Sequence, residues 1–181
     1  MTQQWTINGS LAVTAASERL DLLATPVAKA LPPDAGVAEI DPELADTAQF
    51  CAHYGVPLAA SANCVIVAGK RGGGEPRYAA CMALATTRVN VNTVVRKRIE
   101  ARKASFAPMA QAVELTGMEY GGITPVGLPA GWPILVDAAA AAAPELVIGS
   151  GRRGSKLLVS GEILAALPGA EVVEGLASPV G

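Results

Sequence analysis

Asn63-Cys-Val-Ile-Val-Ala68 is an uninterrupted apolar run of strand length. It is followed by the turn Gly69-Lys-Arg-Gly-Gly-Gly74 and a second strand-like run from Arg77 to Thr86. Two such runs joined by a short glycine-rich turn pair as an antiparallel hairpin, so the fold has to be assembled around a hairpin with a basic tip. The triple glycine also invites comparison with a phosphate-binding loop. A Walker A loop needs Gly-Lys-Ser/Thr entering a helix, however, and here a strand follows. The plain hairpin turn is the better reading.

Around this hairpin the periodicity changes from two to 3.6. Ser17 to Leu31, closed by Pro32-Pro33, carries Leu20, Leu23, Val27 and Leu31 on one stripe and predicts a first helix. Val37 to Ile40 predicts a strand, and Ala45 to Tyr54 a helix ended by Gly55. Asn90 is placed to cap a helix from Val91 to about Ala101 with Val91, Val94, Val95 and Ile99 inward. A shorter helix runs from Pro108 to Thr116 and stops at Gly117. Ile134–Asp137, Leu146–Gly151 and Lys156–Val159 are further strand candidates, and Ser160 caps a final helix through Leu167. No repeat or low-complexity linker divides residues 1–181. The order of elements predicts a single α+β domain, with one mixed, largely antiparallel sheet flanked by helices.

The 181 residues are 51% hydrophobic but only 4% aromatic, so the core is expected to be made of small aliphatic side chains and close backbone approaches. The N-terminus has no basic and apolar leader pattern, and the alanine run near 138–143 is far too short to span a bilayer. Cys51, Cys64 and Cys81 are odd in number and widely spaced, which suggests neither a disulfide framework nor a zinc site and fits a reducing cytoplasm. The formal charge of −2 conceals a segregation. Residues 70–103 hold nine Lys and Arg, among them Lys70, Arg71 and Arg96, against two Glu, and Arg152, Arg153 and Lys156 form a second cluster. Such clusters are either a solvated face or a phosphate-binding surface.

Ordinary hydrolytic machinery is missing. There is no Gly-x-Ser-x-Gly elbow, and the single His53 lies in the last turn of a predicted helix, where a surface imidazole complementing the dipole is the usual occupant. Any catalysis must therefore rest largely on backbone amides and on groups of the substrate. Gly121-Gly-Ile-Thr-Pro-Val-Gly127 is suited to that: glycine lets main chain approach a ligand, and proline stiffens the donors. By sequence physics alone a Gly-Gly and a Pro in a connection are a turn first, and the functional reading comes second.

From about Ala59 to Leu167, the order Thr116-Gly, Gly121-Gly-x-x-Pro-x-Gly127, a strand ending in Asp137 and Ser150-Gly-Arg-Arg-Gly154 resembles the YbaK/prolyl-tRNA-synthetase-associated editing domains. The resemblance implies a curved-sheet α+β core over 59–167. It also implies a trans-acting hydrolase that cleaves the ester of a tRNA mis-charged with a small amino acid such as alanine, cysteine or serine. Gly121, Gly122, Ile123, Pro125 and Gly127 would hold the aminoacyl carbonyl and terminal adenosine through main chain, with a ribose hydroxyl assisting the water. Asp137 would orient that loop or bind the amino group, or else simply cap a strand end.

Ser150, Gly151, Lys70, Arg71, Arg96, Arg152, Arg153 and Lys156 would contact the substrate, several of them at phosphates. The implied partners are the acceptor end of an aminoacyl-tRNA and a synthetase, with no cofactor, metal, DNA or membrane, in a monomer or weak homodimer. One departure stands out: Asn63 occupies the strand start where better-known members carry a lysine. An uncharged amide there leaves Lys70 or Lys156 to supply the cation, or leaves a binder of tRNA ends without chemistry. The cysteine reading predicts three free thiols; a native disulfide in the mass of freshly purified protein would contradict it.

Overall fold

The computed structural model describes residues 5–180. Along the chain run β1 (Val13–Ala15), α1 (Thr25–Lys29), β2 (Gly36–Glu39), α2 (Thr47–Tyr54), β3 (Ala62–Lys70), β4 (Arg77–Leu84) and β5 (Thr87–Val89). They are followed by α3 (Arg96–Arg98), β6 (Lys103–Phe106), α4 (Met109–Thr116), β7 (Ile134–Asp137) and α5 (Ala138–Ala141). The chain ends with β8 (Leu146–Gly149), β9 (Ser155–Val159), α6 (Gly161–Ala165), β10 (Ala170–Val173) and β11 (Ala177–Pro179).

The expected hairpin is the spine. β3 and β4 pair antiparallel from Ala62↔Leu84 to Gly69↔Arg77. Alternate residues of these strands serve two different cores, with Ile66, Ala80 and Met82 in one and Val67, Ala79 and Cys81 in the other. Burial on both faces explains why the runs are apolar throughout rather than alternating. Around the hairpin the sheet order is β10-β7-β4-β3-β6, with β7 parallel to β4 and β10. A second, wholly antiparallel sheet has the order β1-β2-β9-β8, and β11 pairs with β5 apart from both. In place of the single sheet expected there are three, of four, five and two strands. A parallel bridge between Ser61 and Val147 stitches the start of β3 to β8, and this seam is where the cleft described below opens.

Local chemistry ends the helices where expected in most places. Gly55 and Gly117 take left-handed φ of 72° and 68° behind α2 and α4, and Ser160 Oγ accepts the Ile163 amide at 3.1 Å to cap α6. The first helix is different. Ser17–Leu31 breaks into single turns at Ala16–Glu18 and Leu20–Leu22, and only Thr25–Lys29 is α-helical, with Leu20 48% exposed. A continuous helix would bury Pro26 in its interior, where proline has no N–H to donate and its ring clashes with the carbonyl four residues back; the chain restarts instead with Pro26 in a first turn.

The 91–101 segment winds as a wide π turn over Val91–Val95 before α3, and the Asn90 side chain does not cap it. Its amide donates to the Gly175 carbonyl at 3.1 Å and reaches Ser178 Oγ at 3.0 Å, tying down the C-terminal segment. Pro108 is the residue before α4 rather than its first turn. Cys51, Cys64 and Cys81 are all unpaired, the first and last of them buried. Among the described residues no helix is long and apolar enough to cross a membrane.

Gly127 has φ +87°, and a Cβ built on it would lie 2.4 Å from the Pro26 carbonyl oxygen. Gly127→Ala should therefore destabilise the fold by at least about 1–3 kcal/mol, the usual cost of a forced left-handed residue, before any contact strain is added. Chemical denaturation reads this directly, and a wild-type midpoint would contradict the packing of the 121–127 loop on α1.

Candidate functional site

At the seam of the two large sheets lies a cleft of about 300 Å³. The first turn of α2 supplies Asp46, Thr47 and Phe50, the start of β3 supplies Asn63 and Cys64, the loop after α4 supplies Tyr120, Gly121 and Ile123, and β9 supplies Lys156.

The loop is held from behind by the turn between β8 and β9. Glu119 N–H donates to the Gly151 carbonyl at 2.9 Å and Gly151 N–H to the Gly122 carbonyl at 2.7 Å. Arg153 N–H donates to the Glu119 carboxylate at 2.9 Å, and Arg153 Nη1 to the Tyr120 carbonyl at 3.1 Å. The two turns touch main chain to main chain. A Cβ on Gly122 would stand 2.8 Å from the backbone of Arg152, one on Gly149 would stand 2.5 Å from the Gly122 carbonyl oxygen, and one on Gly121, whose φ is +85°, would stand 2.4 Å from Arg153 Nη1. The Gly-Gly pair is thus demanded by the protein's own packing, and Gly122 faces Arg152 rather than an open approach for a ligand. The Gly122 amide closes a turn onto Glu119. Among the described residues the amides of Gly121 and Ile123 donate to nothing, and both residues line the cleft.

Asn63, near the start of β3, lines the same cleft. Its Oδ1 accepts the Thr47 hydroxyl at 2.7 Å, which leaves the Nδ2 donors for another partner. Lys156 is 7% exposed; its ammonium donates to the Ala45 carbonyl at 3.0 Å and lies 5.1 Å over the Phe50 ring. Burial lowers its pKa to about 8, with Cys51 and Asp46 acting in the opposite direction and Arg153 in the same one. Cys64, half-buried in the wall, is pushed well up by burial and stays a neutral thiol.

The remaining site candidates lie elsewhere. Pro125 and Gly127 line an apolar groove with Leu128 and Trp132. Asp137 is buried and accepts the Ala177 amide at 3.2 Å, so it anchors β11 and stands outside the cleft wall. Ser150 is fully buried and lies 2.7 Å from Ser155 Oγ, which in turn donates to the Leu22 carbonyl; this chain of hydroxyls ties the 150–155 turn together, with Gly151 buried inside it. Arg152 reaches the Asp21 carbonyl at 3.3 Å. Lys70 and Arg96 line a groove with Arg102 and Lys103 at the other end of β3, about 23 Å from Asn63 at the rise of an extended strand. Arg71 is exposed, 4.0 Å from Glu100. His53 is exposed at the far end of α2 against Tyr54. Sequence reasoning missed Asp46, Thr47, Phe50 and Tyr120. Only Tyr120, the aromatic abutting the glycine pair, offered a local signal, because the α2 residues join the site through tertiary packing alone.

A family model described as "Aminoacyl-tRNA editing domain" matches residues 41–167, a span that includes every cleft residue named above. No curated protein sequence matches the chain. Among solved structures, the hypothetical protein APE2540 is 25% identical, with a TM-score of 0.64 over 74% of this chain and 85% of that one. A candidate trans-editing enzyme for prolyl tRNA synthetase superposes with a TM-score of 0.70 at 17% identity, over 90% of this chain and 98% of that one, and so shares the fold. With 70–103 as its basic segment and 116–154 as its loop framework, this chain belongs to the aminoacyl-tRNA editing domain family.

Proposed function

We propose that the protein is a trans-acting deacylase that hydrolyses the ester of tRNA mis-charged with a small amino acid. The observation that carries this is the pair of unspent amides, Gly121 and Ile123, in a cleft whose described lining holds no histidine or paired carboxylates and whose one serine, Ser61, is buried against Cys51. Two fixed main-chain donors suit an ester carbonyl whose oxygen gains charge as water adds; removing one donor of this kind commonly costs about 10²–10³-fold in rate. Their rigidity comes from the glycine contacts with the 150–154 turn, so the donors need no reorganisation when charge develops.

The proton transfers need only what substrate and water bring. Water oxygen bonds to the carbonyl carbon and the bond to the ribose oxygen breaks. The water proton passes through the vicinal ribose hydroxyl to the departing oxygen, giving free amino acid and tRNA. Asn63 Nδ2 is placed to hydrogen-bond the terminal nucleotide or the water. Ala45, Ala62 and Val147 in the walls leave room for a short side chain and favour alanine, cysteine or serine over larger residues. Lys70 and Arg96, which make no ion pair among the described residues, are set to meet acceptor-stem phosphates along the same strand.

Wild-type protein incubated with a panel of mis-charged tRNAs should release alanine, cysteine or serine catalytically and spare bulky residues. Tight binding with no turnover on any member would favour the non-catalytic binder instead. Asn63→Ala should slow turnover by about five- to a hundred-fold, the equivalent of about 1–3 kcal/mol, and Asn63→Lys should keep or raise it. Equal rates for all three proteins would make Asn63 structural. Charge reversal at Lys70 and Arg96 should flatten the dependence of log affinity on log salt; an unchanged slope would return them to a solvated face.

A further inference from the structure

Lys156 is a cation the fold has reason to exclude. It is 93% withdrawn from solvent, since only 7% of its surface is exposed, and among the described residues no carboxylate lies within ion-pair distance. A buried charge without a counter-charge is destabilising, and one neutral carbonyl together with an aromatic face offsets only part of that cost. Packing does not require the charge either, because a methionine is close in volume and its apolar end would suit the Phe50 ring over which the ammonium now lies. What the position does supply is an ammonium on the cleft wall, tethered at one donor by the Ala45 carbonyl at 3.0 Å and with two donors uncommitted. None of the nine bases between residues 70 and 103 lines this cleft. Asn63, also in the cleft wall, carries no charge.

Accepting the editing reading of this cleft, we propose that Lys156, from β9, is the charged partner of the oxyanion that forms on the ester carbonyl, completing the donor set begun by the Gly121 and Ile123 amides. The missing counter-charge is then the transition state itself. The ground-state ester offers a neutral carbonyl and the tetrahedral species an anion, so the ammonium binds the second more tightly than the first, which is what accelerates a step. The same chemistry would suit a phosphate of the terminal nucleotide. That group is anionic before and after reaction, so it would appear in binding rather than in turnover.

The groups around the ammonium are Asp46 and Cys51 from the α2 side and Arg153 from the 150–154 turn. With its pKa lowered to about 8, chiefly by burial, the group is charged at neutral pH. The rate acceleration it provides is therefore present below about pH 8 and lost as the pH rises through that value.

The experiment is single-turnover deacylation of mis-charged tRNA by wild type and Lys156→Met, with tRNA affinity and thermal melting measured on the same samples. The oxyanion role predicts a fall of about 10²-fold in the chemical rate, with affinity changed by less than about twofold, and a melting temperature equal to or above wild type. The wild-type rate, divided by that of the free ester at each pH, should drop above about pH 8, and the variant should not show that drop. A variant as fast as an active wild type overturns the proposal and leaves the editing function standing. A loss of affinity equal to the loss of rate assigns Lys156 to a phosphate and overturns it too. So does a lowered melting temperature with a wild-type pH profile, which marks a structural tether. Lys156→Gln, read by the same rate and pH profile, replaces Lys156→Met if that variant does not fold. Wild-type protein inactive on the whole panel overturns both readings together.

Discussion

Two turns in this protein meet with no side chain between them. The 119–123 turn and the 149–154 turn lie so close that a single carbon on Gly122 would come within 2.8 Å of the Arg152 main chain, and one on Gly149 within 2.5 Å of the Gly122 carbonyl oxygen. Hydrogen bonds at 2.7 Å and 2.9 Å then cross the contact in both directions. Contact at this distance removes almost all local freedom from the loop, because a shift of a few tenths of an ångström in one backbone must move the other. The amides of Gly121 and Ile123 inherit that rigidity. A site without a nucleophilic side chain depends on such pre-organisation more than one with a nucleophile, since fixed dipoles act only if they need not reorient.

The site is also electrically sparse. Lys70, Arg96, Arg102 and Lys103 line a groove about 23 Å along β3, where solvent and salt weaken each of them and where extended phosphate contacts would gain from number rather than precision. Lys156 contrasts with them: one charge, buried, held at a single carbonyl and unscreened. Asn63 and Thr47 are joined in the cleft wall through a neutral hydrogen bond at 2.7 Å. On the proposed reading, long-range attraction falls to the basic surface and short-range charge stabilisation to one residue.

Much of the fold was legible because short-range chemistry decides it. The hairpin, the stops at Gly55 and Gly117 and the Ser160 cap all follow from residue type and spacing. The first helix was misread because its hydrophobic stripe is real while Pro26 forbids the helix that would use it. The strands at Lys103–Phe106, Ala170–Val173 and Ala177–Pro179 escaped notice because they are short and largely exposed, and their ladders come from neighbours distant in sequence. The Gly-Gly loop was likewise legible as a motif, but the reason for its glycines was not: they make room for the 150–154 turn, a contact spanning about thirty residues. Asp137 and Ser150 attract notice by type, whereas their hydrogen bonds serve the scaffold.

The central claim is that Gly121 and Ile123 present their amides to the carbonyl end of an aminoacylated nucleoside. Backbone amide NMR shifts, followed as a non-hydrolysable aminoacyl-adenosine amide is titrated in, test it without relying on turnover. The account predicts that the Gly121 and Ile123 amides move furthest, together with the Asn63 side-chain amide, while Pro125–Trp132 and the Lys70–Arg96 groove stay still. Shifts centred on the Leu128–Trp132 groove, with Gly121 and Ile123 unmoved, would contradict it.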